Sequence, residues 1–218
     1  MTRDTDTDYG DVLYAAFAQR YRDGQDSWST ESAMRELVPM LLPRLAPGSR
    51  VLDIGAGRGP DTVALLTAGH RVTATDLVRL PDWDALGTRW QDRVTFFLGD
   101  ITLLPAEEKF HAAVDNGVLH HQDAERYDEY LAAVRGHLHP GGLLAISLFT
   151  TARENPEGRL NRADDGRLSR WFTEPEARAL LTEAGFAPLA VRRVRRRLEG
   201  LAYLLVIATT ATRRSTSA

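Results

Sequence analysis

The sequence predicts a doubly wound α/β fold, a mostly parallel sheet with helices on both faces. Three observations carry this. From Arg50 onward, short branched apolar segments alternate with helical ones, the pattern of crossovers between parallel strands. The stretch VLDIGAGRGPDTVALL, Val51 to Leu66, passes from a strand through an acid and three close-set glycines into a helix. The last two apolar segments, APLAVRRVR and LAYLLVIATT, are clearly separated only by Glu199 and Gly200, so they can pair as an antiparallel hairpin at the sheet edge.

In chain order, residues 1–8 are Thr/Asp-rich and 211–218 polar, the composition of frayed tails. Tyr9 to Leu45 reads as two helices, DVLYAAFAQRY and STESAMRELVPMLLPRL, the second opened by Ser29 or Thr30 as N-cap. The polar turn RDGQDSW joins them. Next come strand RVLDI, helix PDTVALLTAG, strand RVTATD, a short helix around DWDALGTRW, and strand RVTFFLGD. Strand FHAAVDN, helix AERYDEYLAAVRGHL, a Pro-Gly-Gly turn and strand LLAISLF follow. The Arg-rich stretch from Phe149 to about Arg170 lacks periodicity and reads as a lid or binding loop. Helix TEPEARALLTEAG opens on Thr173, with Pro175 in its first turn and Glu176 three residues on, a capping box. With the final hairpin the strands number seven, and nothing marks a second domain.

Bulk properties narrow the function. A chain of 218 residues, 43% hydrophobic and 26% charged, suits one globular domain. It has no apolar run of membrane-spanning length, and MTRDTDTDYG is acidic and polar, so a cytoplasmic protein with no membrane partner is expected. The absence of cysteine excludes disulfides, a Cys nucleophile and thiolate zinc sites. His120 and His121 are adjacent and lack the i, i+4 spacing of a metal site, so no metal is expected. A net charge of −3 argues against a chain built to hold nucleic acid.

A dinucleotide turn wants G-x-G-x-x-G, but the glycines here are Gly55, Gly57 and Gly59, and Pro60 stands where the third would be. No Gly-Lys-Ser/Thr follows, so no phosphate anchor is visible. The stretch matches D-x-G-x-G-x-G, with Asp53 ending the strand and Pro60 starting the helix. Together with Asp76, Asp100 and the Pro-Gly-Gly turn, it resembles the class I S-adenosylmethionine-dependent methyltransferases. The likeness covers Arg50 to Phe149 by motif and the hairpin by topology.

This resemblance implies a Rossmann-like, mostly parallel seven-stranded sheet in one domain. Residues 1–48 would form an N-terminal helical lid, 49–150 the donor-binding core, 151–172 a substrate loop, and 173–210 the final helix and antiparallel hairpin. It implies S-adenosylmethionine as methyl donor and S-adenosylhomocysteine as product. Gly55, Ala56, Gly57 and Gly59 would let the backbone approach the donor, whose carboxylate suits a helix N-terminus. Asp53 would orient that turn or meet the methionine ammonium. Asp76, with Leu77 beside it, would accept the ribose hydroxyls. Asp100 would receive the adenine amino group, with Ile101 as backbone and apolar wall, and Asn116 and Gly117 would complete the donor site. Methyltransferases acting on exocyclic amines of bases carry Asn/Asp-Pro-Pro-aromatic at the fourth strand end. Here Asp115-Asn116-Gly117-Val118 and the following Leu-His-His are similar to small-molecule enzymes, among them the thiopurine, thiol and tellurite-resistance branch and natural-product tailoring enzymes.

Methyl transfer is an in-line displacement whose catalyst mainly aligns the reactants. A thiolate or neutral amine needs no base, whereas a hydroxyl usually does. His120 and His121 are the candidate bases; capping or packing at the following helix is the other reading. His111 begins its strand, away from the chemistry, and His70, His137 and His139 are expected at helix ends on the surface. Tyr9, Tyr14, Tyr21 and Trp28 precede the core, where aromatic rings could close over a sulfonium or simply pack; Tyr21 and Trp28 are the substrate-binding candidates. Arg153, Arg159, Arg162 and Arg167, with Trp171 and Phe172, crowd the later loop. They would suit an acidic acceptor or a solvated surface, with Arg153 and Trp171 the candidates there. The run RRVRRR, residues 192–197, fits edge-strand protection better than RNA binding.

The expected function is methyl transfer to a nitrogen, oxygen or sulfur of a small molecule, with secondary metabolism as one setting. Two rivals stay open: a protein of this fold running a non-methylating reaction such as a cyclisation, or acting by binding, and a nucleic-acid methyltransferase. Monomer and homodimer are both compatible with the sequence.

Overall fold

The computed structural model describes residues 9–153 and 158–210. The expected tails, 1–8 and 211–218, and the loop positions 154–157 lie outside the described residues.

Helix α1 (Tyr9–Arg22) buries Leu13, Ala16 and Ala18. The expected second helix is broken into 3-10 turns Ser27–Thr30 and Ser32–Glu36, a single α-helical turn α2 (Leu37–Leu41), and a 3-10 turn Leu42–Arg44. Pro39 cannot donate to the Arg35 carbonyl, nor Pro43 to that of Pro39, so the ladder is cut on both sides of α2. Neither Ser29 nor Thr30 opens a helix. Glu31 is the cap, its carboxylate accepting from the Ala33 N–H at 3.2 Å.

The core continues with β1 (Arg50–Ile54), α3 (Pro60–Thr67), β2 (Arg71–Asp76), α4 (Asp82–Trp90), β3 (Val94–Leu98), β4 (Phe110–Asn116), α5 (Tyr127–Gly136) and β5 (Leu138–Thr151). Then come β6 (Arg159–Arg162), β7 (Leu168–Trp171), α6 (Glu174–Glu183), β8 (Phe186–Arg195) and β9 (Leu201–Thr210). The main sheet runs β3-β2-β1-β4-β5-β9-β8. Its first five strands are parallel, and β9 lies antiparallel to both β5 and β8. Strand order reverses between β1 and β4, the switch point at which an open α/β sheet leaves a crevice beyond its carboxyl ends.

Apolar cores form on both faces of this sheet. One joins Leu52, Phe110, Leu131 and Leu204 under α5 and α6; the other joins Val51, Leu65, Ala112 and Leu205 under α2 and α3. Each fully buried leucine contributes about 1.5–3 kcal/mol. The capping box at α6 forms as the sequence spells it: Glu176 N donates to Thr173 Oγ1, and Thr173 N donates to the Glu176 carboxylate.

Three expectations change. The Pro-Gly-Gly turn lies inside β5, where Gly141 has φ +75° and the register with β4 shifts between Phe110 and Ala112. The substrate loop contains a hairpin, with β6 and β7 paired from Arg159↔Trp171 to Arg162↔Leu168. Its four-residue strands are half exposed and polar, so no alternation of apolar residues betrays them. His70 and His137 are buried, not surface residues. His139 lies half-buried on β5, and His137 Nδ1 pairs with the Glu108 carbonyl at 3.0 Å, closing a helix end against β4.

Candidate active site

A cavity of about 300 Å³ opens at the switch point. Its donor end is walled by Gly55, Asp76, Leu77, Asp100 and Ile101, and Asn116 and Gly117 stand at its middle. Residues placed at separate strand ends by sequence therefore meet around one space.

The glycine turn is built for close approach. Gly55, Gly57 and Gly59 have φ of +69°, +54° and +84°. A Cβ on Gly55 would stand 2.3 Å from Val118 Cγ2, and one on Gly57 would stand 2.6 Å from the Tyr21 hydroxyl oxygen. The turn is pinned on both sides: Gly57 N donates to Asp76 at 2.8 Å, and Trp83 Nε1 donates to the Gly57 carbonyl at 2.8 Å. Trp83, fully buried, is a supporting residue that no motif announces.

Asp76 accepts from Gly57 N on one oxygen and from Val78 N at 2.9 Å on the other, with Leu77 N a further backbone donor, and its carboxylate lines the cavity. Burial raises its pKa against those backbone donors. Asp100 caps the 3-10 turn Ile101–Leu103 and takes both Thr102 hydrogen bonds on Oδ1, so Oδ2 remains for a ligand. This is the donor set a nucleoside needs: two carboxylates with acceptor capacity to spare and a glycine wall that any Cβ would fill.

Other predicted residues sit behind the wall. Asp53 is 1% exposed and accepts from Thr62 Oγ1 at 2.5 Å; burial first and Asp61 second push it up to about 7. It is tied to the first turn of α3 and does not face the cavity, and Ala56, Gly57 and Gly59 likewise lie outside the lining set. Asn116 lines the space with its amide fully engaged: Nδ2 donates to the Met34 carbonyl at 2.8 Å and to Asp61 at 2.6 Å, and Oδ1 accepts from Ser147. It fastens lid to sheet. Asp115, buried beneath, accepts from the N–H groups of Gly117, Val118 and Leu119 and from the Tyr130 hydroxyl, and so shapes the whole strand end. Desolvation lifts it to about 6 against these donors.

The acceptor end is aromatic and basic. Tyr21 and Trp28 close it from the lid, with Trp28 Nε1 donating to the Tyr21 hydroxyl at 3.3 Å and Phe17 edge-on to Trp28. Arg58, inside the glycine turn, ties this lid down through Asp26 at 2.7 Å. His120 stacks on Phe149 at a ring separation of 3.6 Å, and His121 lies edge-on to the same ring. His121 donates through Nδ1 to the Leu168 carbonyl at 2.8 Å, which turns Nε2 toward the Arg167 guanidinium at 3.4 Å. Burial, helped by Arg167, pulls His121 down to about 3; burial and the neighbouring His121 lower His120 as well. Both rings are neutral at pH 7 and poor proton acceptors, which counts against the expected role as general bases.

The structure does not bring Arg153 or Trp171 to the cavity. Arg153 is exposed, and Trp171 stacks on the far side of Phe149 at 5.0 Å. Tyr14 is also exposed, and Tyr9 instead ties α1 to the hairpin, donating to the His121 carbonyl and accepting from Leu168 N. Lining residues that sequence reasoning missed include Arg20, Met34, Tyr203 and Arg196. Arg196 belongs to the run read as edge protection; it follows β8 and turns back into the site.

Comparison with known proteins agrees with this geometry. A methyltransferase-domain family model matches residues 26–191. The structure of 1,6-didemethyltoxoflavin-N1-methyltransferase from Burkholderia thailandensis, with bound 1,6-didemethyltoxoflavin and S-adenosylhomocysteine, superposes at a TM-score of 0.90 with 42% identity, covering 97% of this chain and 92% of that one. The glycopeptide N-methyltransferase MtfA matches at TM-score 0.63 and 20% identity, over 83% of this chain and 91% of its own. The [4+2]-cyclase SpnF matches at 0.67 and 20%, over 81% and 80%. The last two share the fold alone, and that fold serves a cyclase as well as methyltransferases. Donor set, family match and whole-chain likeness coincide, and the chain belongs to the class I S-adenosylmethionine-dependent methyltransferases.

Proposed function

We propose that the protein methylates a ring nitrogen of a flat heterocyclic small molecule similar to 1,6-didemethyltoxoflavin. The observation that carries this reading is the form of the acceptor end: Phe17, Trp28, His120, Phe149 and Tyr203 line one side of the cavity, an aromatic surround for a planar ring. The whole-chain likeness to an N1-methyltransferase supports nitrogen as the acceptor atom.

In this reading Asp76 holds the donor ribose, Asp100 with Ile101 holds the adenine, and the glycine turn with the α3 N-terminus takes the methionine end. The donor supplies an electrophilic methyl on a sulfonium. Tyr21 and Trp28 exclude water over it, and the aromatic lining around Phe149 and Tyr203 presents the nitrogen in line. His120 and His121 position the acceptor. An arrangement that needs alignment and no strong base suits nitrogen better than a hydroxyl.

Incubation of the purified protein with S-adenosylmethionine and 1,6-didemethyltoxoflavin is expected to give one S-adenosylhomocysteine per singly methylated product, with the new methyl located by NMR on a ring nitrogen. Consumption of the heterocycle without methyl gain would move the non-methylating reading to first place. Methylation on carbon or oxygen would overturn the choice of nitrogen.

A further inference from the structure

Arg196 lies with its Cζ 4.9 Å from the Phe149 ring centroid and 5.0 Å from that of Tyr203. Its Nε is buried without a hydrogen-bond partner, and among the described residues it forms no ion pair. The Nε thus loses hydration that nothing in the protein restores, and the half-exposed head has no anion of its own among the described residues.

The surrounding charges do not neutralise it. Across the cavity Arg167, over the Phe17 ring, meets Asp165 at 3.8 Å, but Asp165 also takes Arg20 at 3.2 Å, so two cations share one carboxylate. Glu31 and Arg35 act on Tyr203 from its other side, and the Glu31 carboxylate already accepts from Ala33 N and Arg197 N. His120 and His121 carry no charge at pH 7. The acceptor end therefore holds surplus positive charge beside aromatic rings, and neither histidine there is a strong base.

We propose that Arg196 is the anion anchor of the acceptor, which binds in the aromatic part of the cavity beside Phe149 and Tyr203 as its conjugate base, an N–H acid that has lost its proton. This rests on the reading above and deepens it: the substrate class becomes heterocycles whose ring N–H ionises near neutrality. The N–H proton leaves to solvent on binding. The nitrogen lone pair then forms the N–CH3 bond while the CH3–S bond breaks and its electron pair stays on sulfur. Anion and sulfonium disappear together, a cancellation of charge that a low-dielectric cavity favours, and no side chain need take a proton.

The test is calorimetric titration of the S-adenosylhomocysteine-loaded protein with 1,6-didemethyltoxoflavin across pH, for wild type, Arg196→Gln and Arg196→Lys. The ionisation of the free compound is followed by absorbance. Wild-type affinity is expected to rise with pH through the compound's own ionisation. Arg196→Gln should weaken binding about tenfold or more and flatten that rise, and Arg196→Lys should recover part of both, with S-adenosylhomocysteine affinity within about twofold throughout. The wild-type profile decides even if a variant folds poorly: affinity that is flat or falls as the compound ionises overturns the anchor. So does unchanged binding by Arg196→Gln while methyl transfer persists, and this would leave the proposed function standing. No binding by the wild type at any pH overturns both.

Discussion

The two ends of the cavity are built by different means. The end proposed for the donor uses backbone and strand-end acids within residues 54–101, each fixed in place because a parallel strand must stop there. The acceptor end gathers side chains from distant segments: Arg20 on α1, Trp28 in the lid, His120 after β4, Phe149 on β5, Arg167 beside β7 and Arg196 after β8. The first arrangement is rigid and generic; the second can be exchanged side chain by side chain without touching the sheet. The lesson is that one fold can keep its donor while its acceptor changes.

The sharpest way to break the comparison is Asp76→Ala. If the donor end works through its carboxylates, two hydroxyl hydrogen bonds at about 1.5–3 kcal/mol each are lost, so donor affinity should fall about a hundredfold or more. Acceptor binding to the aromatic lining would change far less. Calorimetry with S-adenosylhomocysteine reads the first and titration of the heterocycle the second; equal losses at both ends would mean that the cavity is a single cooperative unit.

Asp115→Asn probes the boundary between them. Burial raises the Asp115 carboxyl to about 6, so the folded protein binds its proton more tightly than the unfolded chain. The unfolded state then holds fewer protons between pH 4 and 6, and the stability contributed by this group falls as pH rises across that window. Asn cannot titrate. The stability advantage of wild type over the variant should therefore be greater near pH 4 and shrink by about 2 kcal/mol toward pH 6, read as about 2–4 °C of melting temperature for each kcal/mol in a domain of this size. Asp53, also raised, and the two lowered histidines titrate in both proteins and cancel in the difference. A constant gap would show that Asp115 is not the buried anion organising this strand end.

Gly55→Ala follows in size. The backbone at φ +69° costs an L-residue about 1–2 kcal/mol, and the new methyl must displace Val118, a stiff β-branched side chain. Donor affinity should drop about tenfold or more. Because Val118 lines the acceptor side of the cavity, acceptor KM should rise too, which separates this variant from Asp76→Ala.

The same contrast explains what could be read from sequence. Asp76 and Asp100 announce themselves because an acid ending a β-strand after an apolar run has one place to point. The order of the sheet follows from strand–helix alternation, and the hairpin from two apolar runs with a two-residue break. Arg196 was hidden because its run lies on an edge strand, where charge has an ordinary explanation, and only the fold shows the chain turning back after Arg195. Phe149 and Tyr203 sit in apolar strand segments and pack with the core, so nothing in the sequence sets them apart as lining residues. Arg153 failed for the opposite reason: nearness in sequence to β5 does not aim a side chain. The lid helix broke at Pro39 and Pro43, a local signal outweighed in the reading by apolar periodicity.

The smallest effect should come from Tyr21→Phe, and it decides to which end the lid belongs. The Tyr21 hydroxyl accepts from Trp28 Nε1 and lies against the space a Gly57 Cβ would fill, so the ring touches the donor turn and the aromatic lining at once. Desolvation and the neighbouring Asp76 raise its pKa, and the group is neutral at any pH at which the protein would be assayed. Losing one neutral hydrogen bond costs about 0.5–1.5 kcal/mol. If the lid serves the donor, S-adenosylhomocysteine affinity should fall about threefold to tenfold with acceptor KM unchanged. If it serves the acceptor by holding Trp28 in place, the KM should move and donor affinity stay. The hydrogen bond from Trp28 favours the acceptor: it is the bond that the substitution removes, leaving the indole only its edge-on contact with Phe17 at 5.5 Å, while the phenyl ring still covers the glycine turn.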